Sequence, residues 1–173
     1  MPAIADIIIK RSPAKVWSVI ADASTHVHWL GQRGVTAYDG ELAEGMKFKR
    51  VEKETGLTFE GEVVAMKPEH FLKVRVDAAP DAFVTTEYHL IPVADGCALR
   101  VLCEAYDTGE TRHGYMPEVM EQEWQKNLER LRSYCEAAKP CAPPNRRQAF
   151  QFRCAGILRT LDSLPAPASG GGR

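Results

Sequence analysis

Apolar and polar residues recur along this chain with two different periods, and the change of period divides it. Ile4 to Lys10 is rich in β-branched residues and predicts a strand. Ser12-Pro13 then supplies a helix cap followed by proline at the first helical position, and Val16, Trp17, Val19 and Ile20 give that helix a buried face. Asp22 or Ser24 caps a second short helix ending in His28-Trp29-Leu30, with Gly31 as its stop. The chain therefore opens strand, helix, helix.

From Val35 to Tyr106 the punctuation changes to closely spaced turn signals: Asp39-Gly40, Glu44-Gly45, Glu54-Thr55-Gly56, Lys67-Pro68, Ala79-Pro80 and Asp95-Gly96. The segments between them alternate with period two, as strands with one wet face do. In Leu57–Met66, residues Leu57, Phe59, Gly61, Val63 and Ala65 oppose Thr58, Glu60 and Glu62. Leu72, Val74 and Val76 oppose Lys73 and Arg75; Val84, Tyr88 and Leu90 oppose Glu87 and His89; Leu99, Val101, Cys103 and Ala105 oppose Arg100 and Glu104. Six strands with one dry side each are expected here.

The period returns to helical at Pro117, which fits a first turn and disfavours helical geometry for Met116 before it. Met120, Trp124, Leu128, Leu131 and Cys135 recur at four- and three-residue steps, and Pro140 closes the helix, predicted over 117–139. Residues 140–173 hold Pro140, Pro143, Pro144, Pro165, Pro167 and Gly170-Gly171-Gly172 around a weak apolar stripe of Phe150, Ile157, Leu158, Leu161 and Leu164. They read as a Pro/Arg/Gly-rich tail with at most a short helix. The expected division is a folded domain over 1–139 and a tail over 140–173.

This order has one economical packing in the α+β class. A curved antiparallel sheet of about seven strands wraps the long C-terminal helix, and the two short helices after strand 1 plug one end. A strongly curved sheet around a single helix tends to leave an elongated apolar cavity.

Length and composition narrow the function. At 173 residues and 45% hydrophobic, the chain is long enough to bury a core without disulfides. The run Ile7-Ile8-Ile9 is too short for a signal or membrane segment, so no integral membrane association and a cytoplasmic location are expected. Cysteines at 97, 103, 135, 141 and 154 match no zinc spacing and read as reduced thiols. The formal charge of −1 conceals a tail of +4 on a body of −5, and an acidic body argues against nucleic acid as a partner.

Ser12-Pro13-Ala14-Lys15-Val16-Trp17 with Asp22 and Trp29, then Glu44-Gly45-Met46-Lys47-Phe48, Gly61-Glu62-Val63 with Pro68 and Phe71-Leu72, Leu90-x-Pro92 with Gly96, and Trp124 with Leu128 and Leu131 form an ordered set. Over residues 3–138 this set resembles the START/polyketide-cyclase superfamily (SRPBCC, Bet v 1-like), closest to its AHSA-like branch, the homologues of an activator of a heat-shock chaperone ATPase. The resemblance implies the helix-grip fold. It also implies a choice of roles, since such proteins bind lipids, polyketides or hormones, and some cyclise polyketides.

On the strand and helix parities, Trp29, Phe48, Phe59, Tyr88, Val101, Met120 and Trp124 turn toward the concave interior, where aromatic faces stack on a flat or aliphatic ligand and Met makes a conformable wall. Each equally fills a core. Arg50 shares the parity of Phe48, so its guanidinium is expected either at the pocket, paired with a ligand carboxylate or with Glu52, or as a solvated edge residue. His26 and His28 lie two apart in a helix and so on different faces, and nothing nearby completes a metal shell; no metal and no cofactor are expected. No nucleophile elbow, phosphate loop or carboxylate pair appears, and no catalytic residue is assigned. The polar stretch Tyr106–Met116 is a candidate lid or a plain connector. The expected function is binding of a small hydrophobic molecule (lipid, polyketide or aromatic) between sheet and helix. The rivals are a cyclase/dehydratase using Tyr88 or Arg50, and a chaperone-associated interaction module, which needs an apolar patch on a convex face that reads as charged.

Overall fold

The computed structural model describes residues 1–30, 35–38, 40–52, 56–79, 82–107 and 116–137. The expected stop at Gly31, the turns at Asp39, Glu54-Thr55 and Pro80, the candidate lid and the tail helix lie outside these residues.

Strand β1 (Ala3–Ile9) alternates strictly between buried and exposed positions. Helix α1 (Pro13–Ile20) starts where Ser12 Oγ accepts the Lys15 N–H at 3.3 Å, and it buries Val16, Val19 and Ile20. Asp22 caps a 3₁₀ turn, Ala23–Thr25, by accepting the Ser24 N–H at 2.8 Å, and α2 (His26–Trp29) follows directly. Then come β2 (Val35–Ala37), β3 (Lys47–Val51), β4 (Thr58–Lys67), β5 (Phe71–Ala79), β6 (Ala82–Val93), β7 (Gly96–Asp107) and α3 (Pro117–Glu136). The long helix thus ends three residues before the expected Lys139, with Ala137 already extended at ψ 131°.

The seven strands form one antiparallel sheet in the order β1-β7-β6-β5-β4-β3-β2. This is the helix-grip architecture expected from the order of elements. At about 30 Å long at the standard rise, α3 lies against the concave face. Its second half is fixed hardest: Leu128, Leu131 and Cys135 are fully enclosed, Arg11 donates to the carbonyls of Cys135 and Glu136, and the Lys10 N–H reaches Glu136 Oε1 at 2.7 Å.

Two glycines are required by close approach. A Cβ on Gly61 would stand 2.3 Å from the Phe48 ring, and one on Gly96, at φ +147°, would stand 2.2 Å from the Ile9 carbonyl.

The expected faces of β5, β6 and β7 hold. Two departures occur in β4. Leu57 precedes the strand and is exposed, and a bulge between Val63 and Ala65 inverts the alternation, so that Met66 rather than Ala65 packs on the core. The convex face also differs from the expected charged surface. Ile8 (58% exposed) and Ile91 (50%) flank Ala98 in one cross-strand row. They line an open groove of about 390 Å³ with Asp6 and Arg100, which pair at 2.7 Å.

Candidate functional site

The interior of the grip is built from rings. Trp29, delivered by α2 and tethered by its Nε1–H to Thr25 Oγ1 at 3.3 Å, meets Tyr88 of β6 edge-on at 6.4 Å between centroids. Tyr88 meets Trp124 of α3 in the same manner, at 5.7 Å. His26 extends the series at the other end, 5.3 Å from Trp29, with its Nε2–H donated to the Ile20 carbonyl at 2.7 Å. This edge-to-face chain joins α2, the sheet and α3.

Beneath it lies a void of about 30 Å³ lined by Trp29, Phe48, Arg50 and Tyr88 together with Thr36, Leu72 and others. That is room for a water molecule or a small planar group. Ligand pockets for drug-sized molecules run to about 300–1,000 Å³, so the interior is nearly packed. Rings of Trp, Phe and Tyr occupy the space that the element order alone left open.

The structure places the remaining candidates around rather than at this void. Val101 is fully enclosed in β7, opposite Tyr88 in register. Phe59 pairs with Arg50 across β3 and β4 and is half-buried. Trp124, also half-buried, packs on the core from the first half of α3, whereas Met120 is half-buried without packing on the core cluster. His26 and His28 do not face a common ligand: His28 stacks on Tyr134 of α3, ring planes 10° apart. No group of three or more His, Cys, Asp or Glu side chains suited to a metal occurs among the described residues.

Arg50 points inward. The residue keeps some exposure, yet its Nε is wholly enclosed and has no hydrogen-bond partner. Its Cζ stands 5.9 Å from the Phe48 ring centroid, a cation–π contact that offsets part of the desolvation. Burial lowers the guanidinium pKa, against the opposing influence of Tyr88 and Cys103. Burial drives the Tyr88 phenol far above its ordinary range, so it stays a neutral donor, with Arg50 pulling the other way. The Cys103 thiol is likewise raised by burial, against its contacts with Thr86, Trp124 and Arg50.

Thr36 is the site residue the sequence did not offer. It stands opposite Arg50 in the β2–β3 register, and its buried Oγ1 also lacks a partner. A three-residue strand carries too little alternation to orient it, and the register that sets Thr36 beside Arg50 belongs to the folded sheet. The lining therefore presents one guanidinium, the hydroxyls of Thr36, Tyr38 and Tyr88 and the His26 imidazole among apolar side chains, a donor-rich aromatic box.

These features define a helix-grip domain of the START/polyketide-cyclase type with a closed aromatic interior. The family described as "Activator of Hsp90 ATPase homolog 1-like protein" matches residues 10–136, and the chain belongs to that family. Among solved structures, protein MLL2253 from Mesorhizobium loti superposes with a TM-score of 0.66 at 19% identity, covering 81% of this chain and 100% of that one. An AHSA1-like protein from Aeromonas hydrophila gives 0.62 at 17% identity, with 80% and 94% covered. DynU16, encoded in the dynemicin biosynthetic locus, gives 0.62 at 18% identity; 80% of this chain matches 48% of that one. At these identities the likeness is one of fold. No curated protein matches the chain. No helix among the described residues is long and apolar enough to cross a membrane.

Proposed function

We propose that the protein binds a small hydrophobic molecule between the concave face of the sheet and the first half of α3. The observation that carries this reading is the uneven grip of that helix. Leu128, Leu131 and Cys135 seal its second half, whereas Met120 and Trp124 are only half-buried and Val119 is 47% exposed. Trp124 rests on Tyr88 directly above the polar end of the aromatic box. Elements held by fewer enclosed apolar contacts open at lower free energy, so a ligand enters by displacing Trp124 and Met120 and takes their place against Tyr88 and Trp29. The buried thiols Cys97, Cys103 and Cys135 suit a reducing, cytoplasmic setting. Titration with medium-chain lipids and polycyclic aromatics, read by tryptophan fluorescence, tests the proposal: a saturable change centred on Trp29 and Trp124 supports it, and silence toward every class sinks it. A cyclase or dehydratase would use the same cavity, with Arg50 and Tyr88 as donors to an enolate oxygen; release of unchanged poly-ketone separates binding from turnover.

The family description and the Ile8–Ala98–Ile91 row favour a second reading, in which the convex face contacts a chaperone of the Hsp90 type. It requires that the chain raise such a chaperone's ATPase rate and that Ile8→Ser with Ile91→Ser abolish the effect.

A further inference from the structure

We propose that Arg50, Thr36 and Tyr88 form a carboxylate subsite in the void between β3, β2 and β6, so that the ligand is an apolar acid rather than a neutral hydrocarbon. The inference rests on the binding role proposed above and names the chemistry of its ligand.

The geometry supplies a charge without a counter-charge. Among the described residues no carboxylate pairs with Arg50, whereas Lys49, Lys73, Arg75 and Arg100, all nearer to solvent, each have an acidic partner. An ionised group removed from water is tolerated when paired and hydrogen-bonded, and it is among the more destabilising features of a fold when it is not. The face of Phe48 compensates only in part.

The neighbouring polar atoms share the deficit. Thr36 Oγ1 is buried without a partner beside Arg50, and Tyr88 lines the same void. Arg50 is purely a donor and the two hydroxyls donate readily, so the set asks for an acceptor with several lone pairs. A planar two-oxygen anion meets the guanidinium fork in the bidentate manner that a halide or a single carbonyl does not. The void of about 30 Å³, walled by flat aromatic rings, suits a planar group better than a tetrahedral phosphate. The remainder of the acid then runs toward Trp124 and Met120, along the side of the interior that α3 seals least.

The experiment pairs each acid with its neutral counterpart: decanoate with decanol, and 2-naphthoate with 2-naphthol, at pH 7, titrated into the full chain by calorimetry. The expected result is at least a tenfold preference for one acid over its alcohol. Arg50→Met removes that preference while leaving the alcohol's affinity in place, and Arg50→Lys restores part of it. The two pairs distinguish aliphatic from aromatic acids. Equal affinity of acid and alcohol for the native chain overturns the subsite and leaves the cavity reading standing; failure of all four probes overturns both. A measurement without ligand provides an independent check. If Arg50 awaits an external anion, Arg50→Met raises the melting temperature and a saturating acid raises that of the native chain alone. A lowered melting temperature in Arg50→Met and in Arg50→Lys assigns the guanidinium a purely structural role and rejects the proposal.

Discussion

Tyr88 and Trp124 meet edge-to-face across the seam between β6 and α3, their ring planes 82° apart. The contact closes the interior, since Trp124 is the largest side chain on the loosely held half of the helix. Trp124→Ala is therefore expected to do two things. Truncation of a half-buried tryptophan costs about 2 kcal/mol, below the ~3–5 kcal/mol typical of a fully enclosed one. On the proposed binding role it also removes the side chain that covers the interior, so apolar probes are expected to bind faster and more tightly. Stopped-flow fluorescence of Trp29 measures the second effect; slower or weaker binding in the variant would show that Trp124 is part of the binding surface rather than its cover.

The two halves of α3 should respond unequally to the same truncation. Leu128 has no exposed surface, and Leu128→Ala is expected to lose about 2–5 kcal/mol. Met120 is half-exposed, and Met120→Ala should lose about 1 kcal/mol or less. Urea denaturation of both variants checks this, and comparable losses would contradict an unevenly held helix.

Phe48 reaches the void because Gly61 leaves room for its ring. Gly61→Ala would press a methyl group against Phe48 Cζ and against the Arg75 carbonyl, 2.9 Å away. Overpacking of this kind costs about 1–3 kcal/mol. Because the ring is the softer obstacle, Phe48→Leu should recover part of the loss when combined with Gly61→Ala. A strictly additive pair in a double-mutant cycle would place the strain on the β5 backbone instead.

How far the sequence foretold all this depends on the kind of information each feature needs. Strand faces, caps and the α3 stripe are local patterns, and they read correctly from Ser12 capping Lys15 to Leu128 and Leu131 in the core. The bulge at Val63 does not alter composition, so alternation alone carried Ala65 to the wrong face. Ile4 and Ile8 belong to a strand hydrophobic on both sides, where period two gives no hint that they stay uncovered. The inward parity of Arg50 was readable, but its company was not: Thr36 joins it only through the pairing of two strands. The size of the void was the hardest quantity, since a gap of about 30 Å³ is the small difference between large volumes.

On the convex face, Lys73 Nζ lies 2.9 Å from Glu87, and His89 Nε2 lies 3.1 Å from the same carboxylate. The hydrogen bond from Lys73 holds the Glu87 carboxyl below its ordinary value of 4.5. The contribution of Glu87 is thus complete above that value and lost as pH falls through the lower, folded one. Lys73 is raised above 10.5 chiefly by the same bond, so its contribution is complete below 10.5 and lost as pH rises through the folded value. Part of the pair is solvated, which limits it to about 0.2–1 kcal/mol. Lys73→Met with Glu87→Gln should flatten the stability profile on its acid limb, and unfolding at pH 3 and pH 7 measures this. An unchanged difference between the two pH values would remove the pair from the acid sensitivity of the fold.

Cys97, Cys103 and Cys135 are all buried and free. Burial raises each thiol, that of Cys135 to about 11, with Lys15 acting weakly in the opposite direction. A thiol of that acidity is only about one part in a thousand thiolate at pH 8, and the thiolate is the species that alkylates. Enclosure adds a second barrier, because Cys135 sits where α3 is anchored by Arg11. Iodoacetamide at pH 8 should therefore leave these three sites unmodified in the native protein and label all of them in urea, as peptide mass spectrometry would resolve. Cys103 provides the finer discrimination. It lies under the Trp124 wall in contact with Thr86, at 3.6 Å, so opening of the first half of α3 should expose it before Cys135. Native-state labelling that reaches Cys135 first would place the weak point of the domain at the other end of the helix.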